Sequence, residues 1–148
     1  MSFSDDLARF AAKCEKRANT IVRKVVLDVG VSVVLKSPVG DASYWKHPPP
    51  PGYVGGHFRW NWQYGEGTSP SGVKDGVDTS TGGSLTIGAI VQELPQQAAG
   101  KIHYISNNTV YGPRLEDGWS RQAPHGMVGL TVVEFQGMVA AALGEAGA

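Results

Sequence analysis

Cysteine is nearly absent: the chain carries one, Cys14, in 148 residues. An intrachain disulfide is excluded, and with it the small secreted folds held by a disulfide framework. Cys14 lies in an apolar periodic segment, so it is expected to be a small buried hydrophobe in a chain made in a reducing cytoplasm. Neither sign of charge is in excess, since 13 Lys and Arg balance 13 Asp and Glu. A dedicated nucleic-acid binder usually carries a basic surplus. A neutral total instead weakens self-repulsion and suits assembly into a larger object. No continuous apolar run approaches the roughly 18 residues needed to span a bilayer. The opening MSFSDDLARF is acidic first and has no apolar run of the signal-peptide kind. No membrane partner and no secretion signal are expected.

Reaction chemistry is equally sparse. The four histidines, His47, His57, His103 and His125, form no HExxH, and no CxxC or close Cys/His cluster exists. No metal site and no cofactor are expected. Ser120, His125 and Asp117 supply triad residue types without the Gly-x-Ser-x-Gly elbow of a hydrolase. Gly65-Glu66-Gly67 lacks the Lys of a phosphate loop. No catalytic residue is therefore assigned. The acidic pair Asp5-Asp6 suits a helix N-terminus. Glu116-Asp117 suits a turn cap or a pairing with Arg114 or Arg121.

What is present is periodicity. Residues 2–36 predict one long helix, with Ser2 and Asp5 in a capping-box pattern. Phe3, Leu7, Phe10, Cys14, Ile21, Val25 and Val29 recur along it as an apolar stripe. At 1.5 Å per residue it would reach about 50 Å, longer than a domain of this size needs. Pro38 ends it. Residues 37–56 then form a Pro/Gly-rich arm, in which Pro48 to Pro51 impose an extended rod.

Residues 57–64, HFRWNWQY, alternate as a strand that places Phe58, Trp60, Trp62 and Tyr64 on one face, in the core or at a subunit interface. Residues 65–83 are a polar loop. Residues 84–91 alternate again and predict a second strand, 92–100 a short helical turn, and 101–106 a third strand closed by Asn107-Asn108. After a connector over 107–124, a helix is expected over 125–143, with Pro124 as its first residue and Val128, Val132, Phe135, Val139 and Leu143 as its stripe. The expected fold is a single α+β domain: a small antiparallel sheet (within residues 57–106) packed by a long N-terminal helix and a C-terminal helix, with a long Pro/Gly-rich loop.

The connector and the helix after it carry a recognisable pattern. It runs through Asn107, Asn108, Tyr111, Leu115, Glu116, Gly118, Ser120, Gln122, Ala123, Pro124, Gly126, Met127, Val128, Leu130, Thr131 and Val132. It resembles the C-terminal signature of the neck or tail-completion (minor tail component) proteins of long-tailed bacteriophages. A second match is Ser37-Pro38-Val39 followed by Asn61-Trp62-Gln63. In that family the link between the two is short, reading Asp-Thr-Gly-Arg. Here an insert from Tyr44 to Gly56 stretches it, and Gly129 stands where Arg is expected.

The resemblance implies a virion structural protein made in the host bacterial cytoplasm. It would form a ring, typically of six subunits, between the head-closure ring and the tail terminator or tail tube. DNA would pass through the lumen without specific binding. Arg114, Glu116, Trp119 and Arg121 are the candidate contact residues of the connector, with Trp60 and Trp62 on the aromatic strand and Tyr44 and Trp45 on the arm. The alternative is a nucleic-acid-binding module that stacks bases on Trp60 and Trp62 beside Arg59 and the basic residues of the first helix.

Overall fold

The structure, a computed structural model, describes residues 2–41, 43 and 46–147. Tyr44 and Trp45, two of the candidate contact residues, lie outside the described residues.

The first helix, α1 (Phe3–Lys36), starts as its sequence requires. The Ser2 hydroxyl accepts from the Asp5 backbone N–H, and the Asp5 carboxylate accepts from the Ser2 N–H, each at 3.2 Å. This reciprocal pair satisfies two of the otherwise unbonded donors of the first turn. At the other end the Ser37 backbone turns extended, and its hydroxyl donates to the Val33 carbonyl at 2.6 Å. Pro38 prevents a further turn.

Two strands follow, β1 (Trp62–Glu66) and β2 (His103–Asn107). They pair antiparallel, with Trp62 opposite Asn107, Tyr64 opposite Ile105 and Glu66 opposite His103. The fold is α+β, with α1 packed against the sheet and against a C-terminal helix.

Four expected elements are corrected. The strand expected over 57–64 begins only at Trp62; His57–Trp60 is a single helical turn, α2. Gly56 has φ +110, and a Cβ there would stand 2.3 Å from the Asp78 carbonyl oxygen. The chain turns on that close approach before it can extend. The strand expected over 84–91 is a helix, α3 (Ser84–Glu93), so the sheet has two strands and not three. Its buried residues, Thr86 and Ile90, are four apart, a helical spacing that Leu94 continues. The helical turn expected within 92–100 is the end of α3, which stops at Glu93. Finally, the C-terminal helix α5 runs Val128–Gly147, beginning four residues after Pro124 and passing residue 143.

The core gathers Val26, Val33 and Val34 of α1, Phe58 of α2, Trp62 and Tyr64 of β1, Ile90 and Leu94 at the end of α3, and Ala123 and Met127. Full burial of each large side chain in this set contributes about 1.5–3 kcal/mol. Phe58 meets Trp62 edge to face at 5.8 Å, a favoured aromatic geometry. The core thus occupies the C-terminal half of α1. Every residue from Ser2 to Arg17 is exposed, Cys14 among them. The expectation of a buried Cys14 fails because the helix outruns the domain that would cover it.

Helix α5 runs back antiparallel along α1. Ser32 and Thr131 share a buried hydroxyl–hydroxyl hydrogen bond at 2.8 Å. Lys36 donates to Ser32 at 2.7 Å and to Glu134 at 2.9 Å. At the far end Gly147 lies beside the Arg17 guanidinium. Beyond that level α1 continues alone.

Candidate functional site

The connector from Thr109 to Met127 folds around one carboxylate. Helix α4 (Gly112–Glu116) ends with Glu116 aimed at the start of α5. Its carboxylate accepts from the backbone N–H groups of Met127, Val128 and Gly129, each at 2.9 Å. Three of the four unbonded donors of a helix N-terminus are satisfied by this one side chain. Burial raises the Glu116 pKa. The bonds from Gly129, Met127 and Val128 outweigh it and leave the group below its usual value. The positive end of the α5 dipole acts in the same sense.

The glycines of the connector follow from that approach. Gly118 has φ +88, and a Cβ on it would sit 2.4 Å from the Pro124 carbonyl oxygen. Gly126 has φ +78, with the Glu116 backbone oxygen 2.5 Å from where its Cβ would be. Only glycine fits either place.

The rest of the connector is tied inward as well. Leu115 packs on the core, and Ala123 and Met127 belong to it. Gln122 bridges to the end of the first helix: its amide oxygen accepts from the Val39 N–H at 2.9 Å, and its amide nitrogen donates to the Val39 carbonyl at 2.8 Å. Next to this bridge the Trp62 indole donates to the Ser37 hydroxyl at 2.7 Å. The Ser37-Pro38-Val39, Asn61-Trp62-Gln63 and Leu115–Met127 segments are therefore one joint.

The candidate contact residues separate accordingly. Glu116 is half-buried and serves as a helix cap within the subunit, while Trp62 is buried in the core, which removes Trp62 from the surface contacts. Trp60 is half-buried, its indole donating to the Asp75 carbonyl at 3.0 Å and its face covered by the Lys74 ammonium at 3.7 Å. With Phe58, Trp62 and Tyr64 also turned inward, residues 57–64 present no row of open rings on which bases could stack. Arg114 and Trp119 remain outside, the guanidinium 5.2 Å from the indole centre. Trp119 is 72% exposed, and Arg121 is exposed too.

A polar cluster missed in the sequence organises the turn into α3. Asp78 is fully buried and accepts from the Ser80 hydroxyl and N–H and from the Thr86 hydroxyl and N–H. Arg59 donates to the Asp78 and Ser80 carbonyl oxygens at 2.6 and 2.7 Å. Burial works to raise the Asp78 pKa, but the bonds from Ser80 and Thr86 hold it down at about 2. Asn61, also fully buried, exchanges hydrogen bonds with the Lys74 backbone and donates to the His57 carbonyl. The signal was legible in hindsight: Asp-x-Ser before a helix is a capping pattern.

Two of the four histidines are used structurally. His57 bonds the Tyr111 hydroxyl at 2.6 Å, and His103 bonds the Tyr64 hydroxyl at 2.7 Å and the Ala98 carbonyl at 2.8 Å. Among the described residues no group of three or more His, Cys, Asp or Glu could hold a metal ion.

The largest unexplained surface is apolar and lies on the two long helices. Phe3, Leu7 and Phe10 stand exposed on α1. On α5, Val128, Val132, Phe135 and Leu143, four of the five residues of the stripe expected to pack on the core, are exposed as well, with Leu130 and Val133 beside them. Helix α5 meets α1 through Thr131 and Ala142 instead. By length and composition α5 could cross a bilayer, with mean hydropathy 1.2 and 11% of it buried. It is not a continuous apolar run in the sequence, because Glu134, Gln136 and Glu145 interrupt it. Alongside it, however, runs α1 with Arg17, Lys24, Asp28 and Lys36, and α5 carries Glu134 in its second turn and Glu145 near its end. Charged groups of this density are costly in hydrocarbon. An open groove of about 560 Å³ lies on another side of α1, between Lys16, Asn19, Arg23 and the Leu94–Gln97 segment.

No protein-family profile, curated protein or solved structure matches the chain.

Proposed function

We propose that this chain is a virion structural protein of the neck of a long-tailed bacteriophage, a non-catalytic subunit of a ring that joins the head-closure complex to the tail terminator or tail tube. The observation that carries the reading is the pair of uncovered apolar faces on α1 and α5. Contiguous apolar surface of this extent on a folded chain marks an interface. The residues behind the resemblance to neck proteins support it in a second way. Glu116, Gly118, Gln122, Ala123, Gly126 and Met127 form the joint between the connector and α5, so they define how α5 is presented.

In this reading the ring is typically of six subunits. The subunit is made in the host cytoplasm and resides in the particle, and DNA passes the lumen without specific contacts. Electron microscopy of the particle with mass spectrometry of its proteins tests the proposal. A ring-multiple copy number and density at the head–tail junction are expected, and loss of the chain should leave unjoined heads and tails. A chain absent from purified particles, whose loss leaves them intact, would refute it.

A further inference from the structure

We infer that the projecting segment of α1, Phe3 to Arg17, lies on the exposed face of α5 of a second copy of this chain, in a head-to-tail contact that repeats from subunit to subunit. The inference rests on the ring reading above and names its contact.

Four observations carry it. First, the segment cannot use its own α5. The two helices run antiparallel and α5 ends level with Arg17. The segment continues straight for about 20 Å past that point, at 1.5 Å per residue, and holds neither proline nor glycine to kink it back. Second, its apolar residues Phe3, Leu7, Phe10 and Cys14 are spaced four, three and four, the spacing of a seam that packs against another helix. All four are exposed.

Third, the areas suffice. Phe3 is 82% and Phe10 65% exposed, so the two rings alone offer roughly 200–350 Å² at the usual size of an aromatic side chain. With Leu7 and the facing α5 side chains the contact reaches on the order of 1,000 Å², the scale at which a specific interface holds. Fourth, the charges choose the pairing. Of the two acids of α5, Glu134 is paired with Lys36 and Glu145 is exposed, and the helix has no basic residue, whereas the α1 segment holds Arg9, Lys13, Lys16 and Arg17 against Asp5, Asp6 and Glu15. Pairing α5 with α5 would bring like charges together. Pairing α1 with α1 would leave the α5 face in water. Placing α1 on α5 covers both. Repeated in one direction from subunit to subunit, the contact is heterologous and closes into a ring when its rotation permits.

The test uses the full chain with Phe10→Glu and, separately, Val132→Glu, two exposed positions; Leu7→Glu and Val133→Glu serve as a second pair. Circular dichroism checks that each is folded, and mass photometry and sedimentation read assembly. The wild type should assemble, and each variant alone should be monomeric. An equimolar mixture of Phe10→Glu with Val132→Glu should give a dimer and nothing larger, since one intact contact remains. Three results overturn the inference: a Phe10→Glu or Val132→Glu protein that assembles as the wild type does, a Val132→Glu protein that stops at a dimer by itself, or a mixture that stays monomeric. A monomeric wild type found at the particle neck overturns this contact and leaves the neck assignment standing; a wild type that assembles yet is absent from particles does the reverse. Flotation of the wild type with phosphatidylcholine–phosphatidylglycerol vesicles, lost in Val132→Glu, would assign the α5 face to a bilayer and overturn it too.

Discussion

Replacing Glu116 with alanine removes the group that starts α5. Three backbone N–H groups, those of Met127, Val128 and Gly129, lose their acceptor at once. Loss of a side-chain helix cap costs about 0.5–2 kcal/mol. Loss of a negative charge at the helix N-terminus adds about 0.3–1 kcal/mol, and more where the site is partly buried. The expected destabilisation is about 1–3 kcal/mol, a melting temperature lower by roughly 2–12 °C for a domain of this size.

Glu116→Gln keeps an acceptor of the same shape but loses the charge and one oxygen, so it should fall about midway. The pH dependence has a defined sign. The folded pKa lies below the unfolded one, so the stabilisation is present above the unfolded carboxylate value near pH 4.5. It is lost as pH falls through the folded pKa. Urea unfolding of the three proteins at pH 7 and at pH 3 measures all of this, and the gap between the wild type and Glu116→Ala should narrow as the pH is lowered. A Glu116→Ala protein within 0.5 kcal/mol of wild type at pH 7 (about the noise of surface substitutions) would refute the capping role. If that same protein also failed to assemble, Glu116 would be a contact residue after all.

Asp78, held at about 2, should contribute about 2 kcal/mol above its unfolded pKa, from a shift of nearly two pH units. That contribution should fade between about pH 4 and pH 2, and Asp78→Ala should remove it and leave Arg59 without its carboxylate partner, as read by guanidinium unfolding. Gly118→Ala should cost more than about 1 kcal/mol, since φ +88 and the Pro124 carbonyl both exclude a Cβ; a neutral result in thermal unfolding would show that the connector can rearrange. Trp119→Ala should leave far-UV circular dichroism and melting within about 2 °C of wild type, because the ring is exposed. A cooperative loss of structure would place it in the core.

Much of this fold was legible because it rests on local rules. Ser2 and Asp5 specify the start of α1 by reciprocal bonding within one turn, and Ser37-Pro38 specify its end. The β2 strand and the α+β class follow from alternation and order. The Ser84–Val91 segment was not legible, because SLTIGAIV satisfies both periods. What decides for helix is Asp78 and Ser80, which supply acceptors to the N–H groups of Thr86 and Leu85 from outside the segment. The strand start at Trp62 was hidden for the same kind of reason: the Gly56 turn is imposed by the Asp78 backbone, distant in sequence.

Periodicity along the chain is enough to specify two long amphipathic helices and a short sheet. Their stripes are local properties, set by spacing along a helix of fixed pitch. Tertiary structure alone decided which side of each stripe is covered. Helix α5 docks through Thr131 and Ala142, because Ser32 and Lys36 of α1 hold that side by hydrogen bonds and an ion pair. The strongest apolar stripe of α5 is thereby turned outward, and α1 outruns the end of α5. Glu116, which in the sequence reads equally as a surface acid, becomes a helix cap within the subunit once the connector folds its carboxylate onto the first turn of α5.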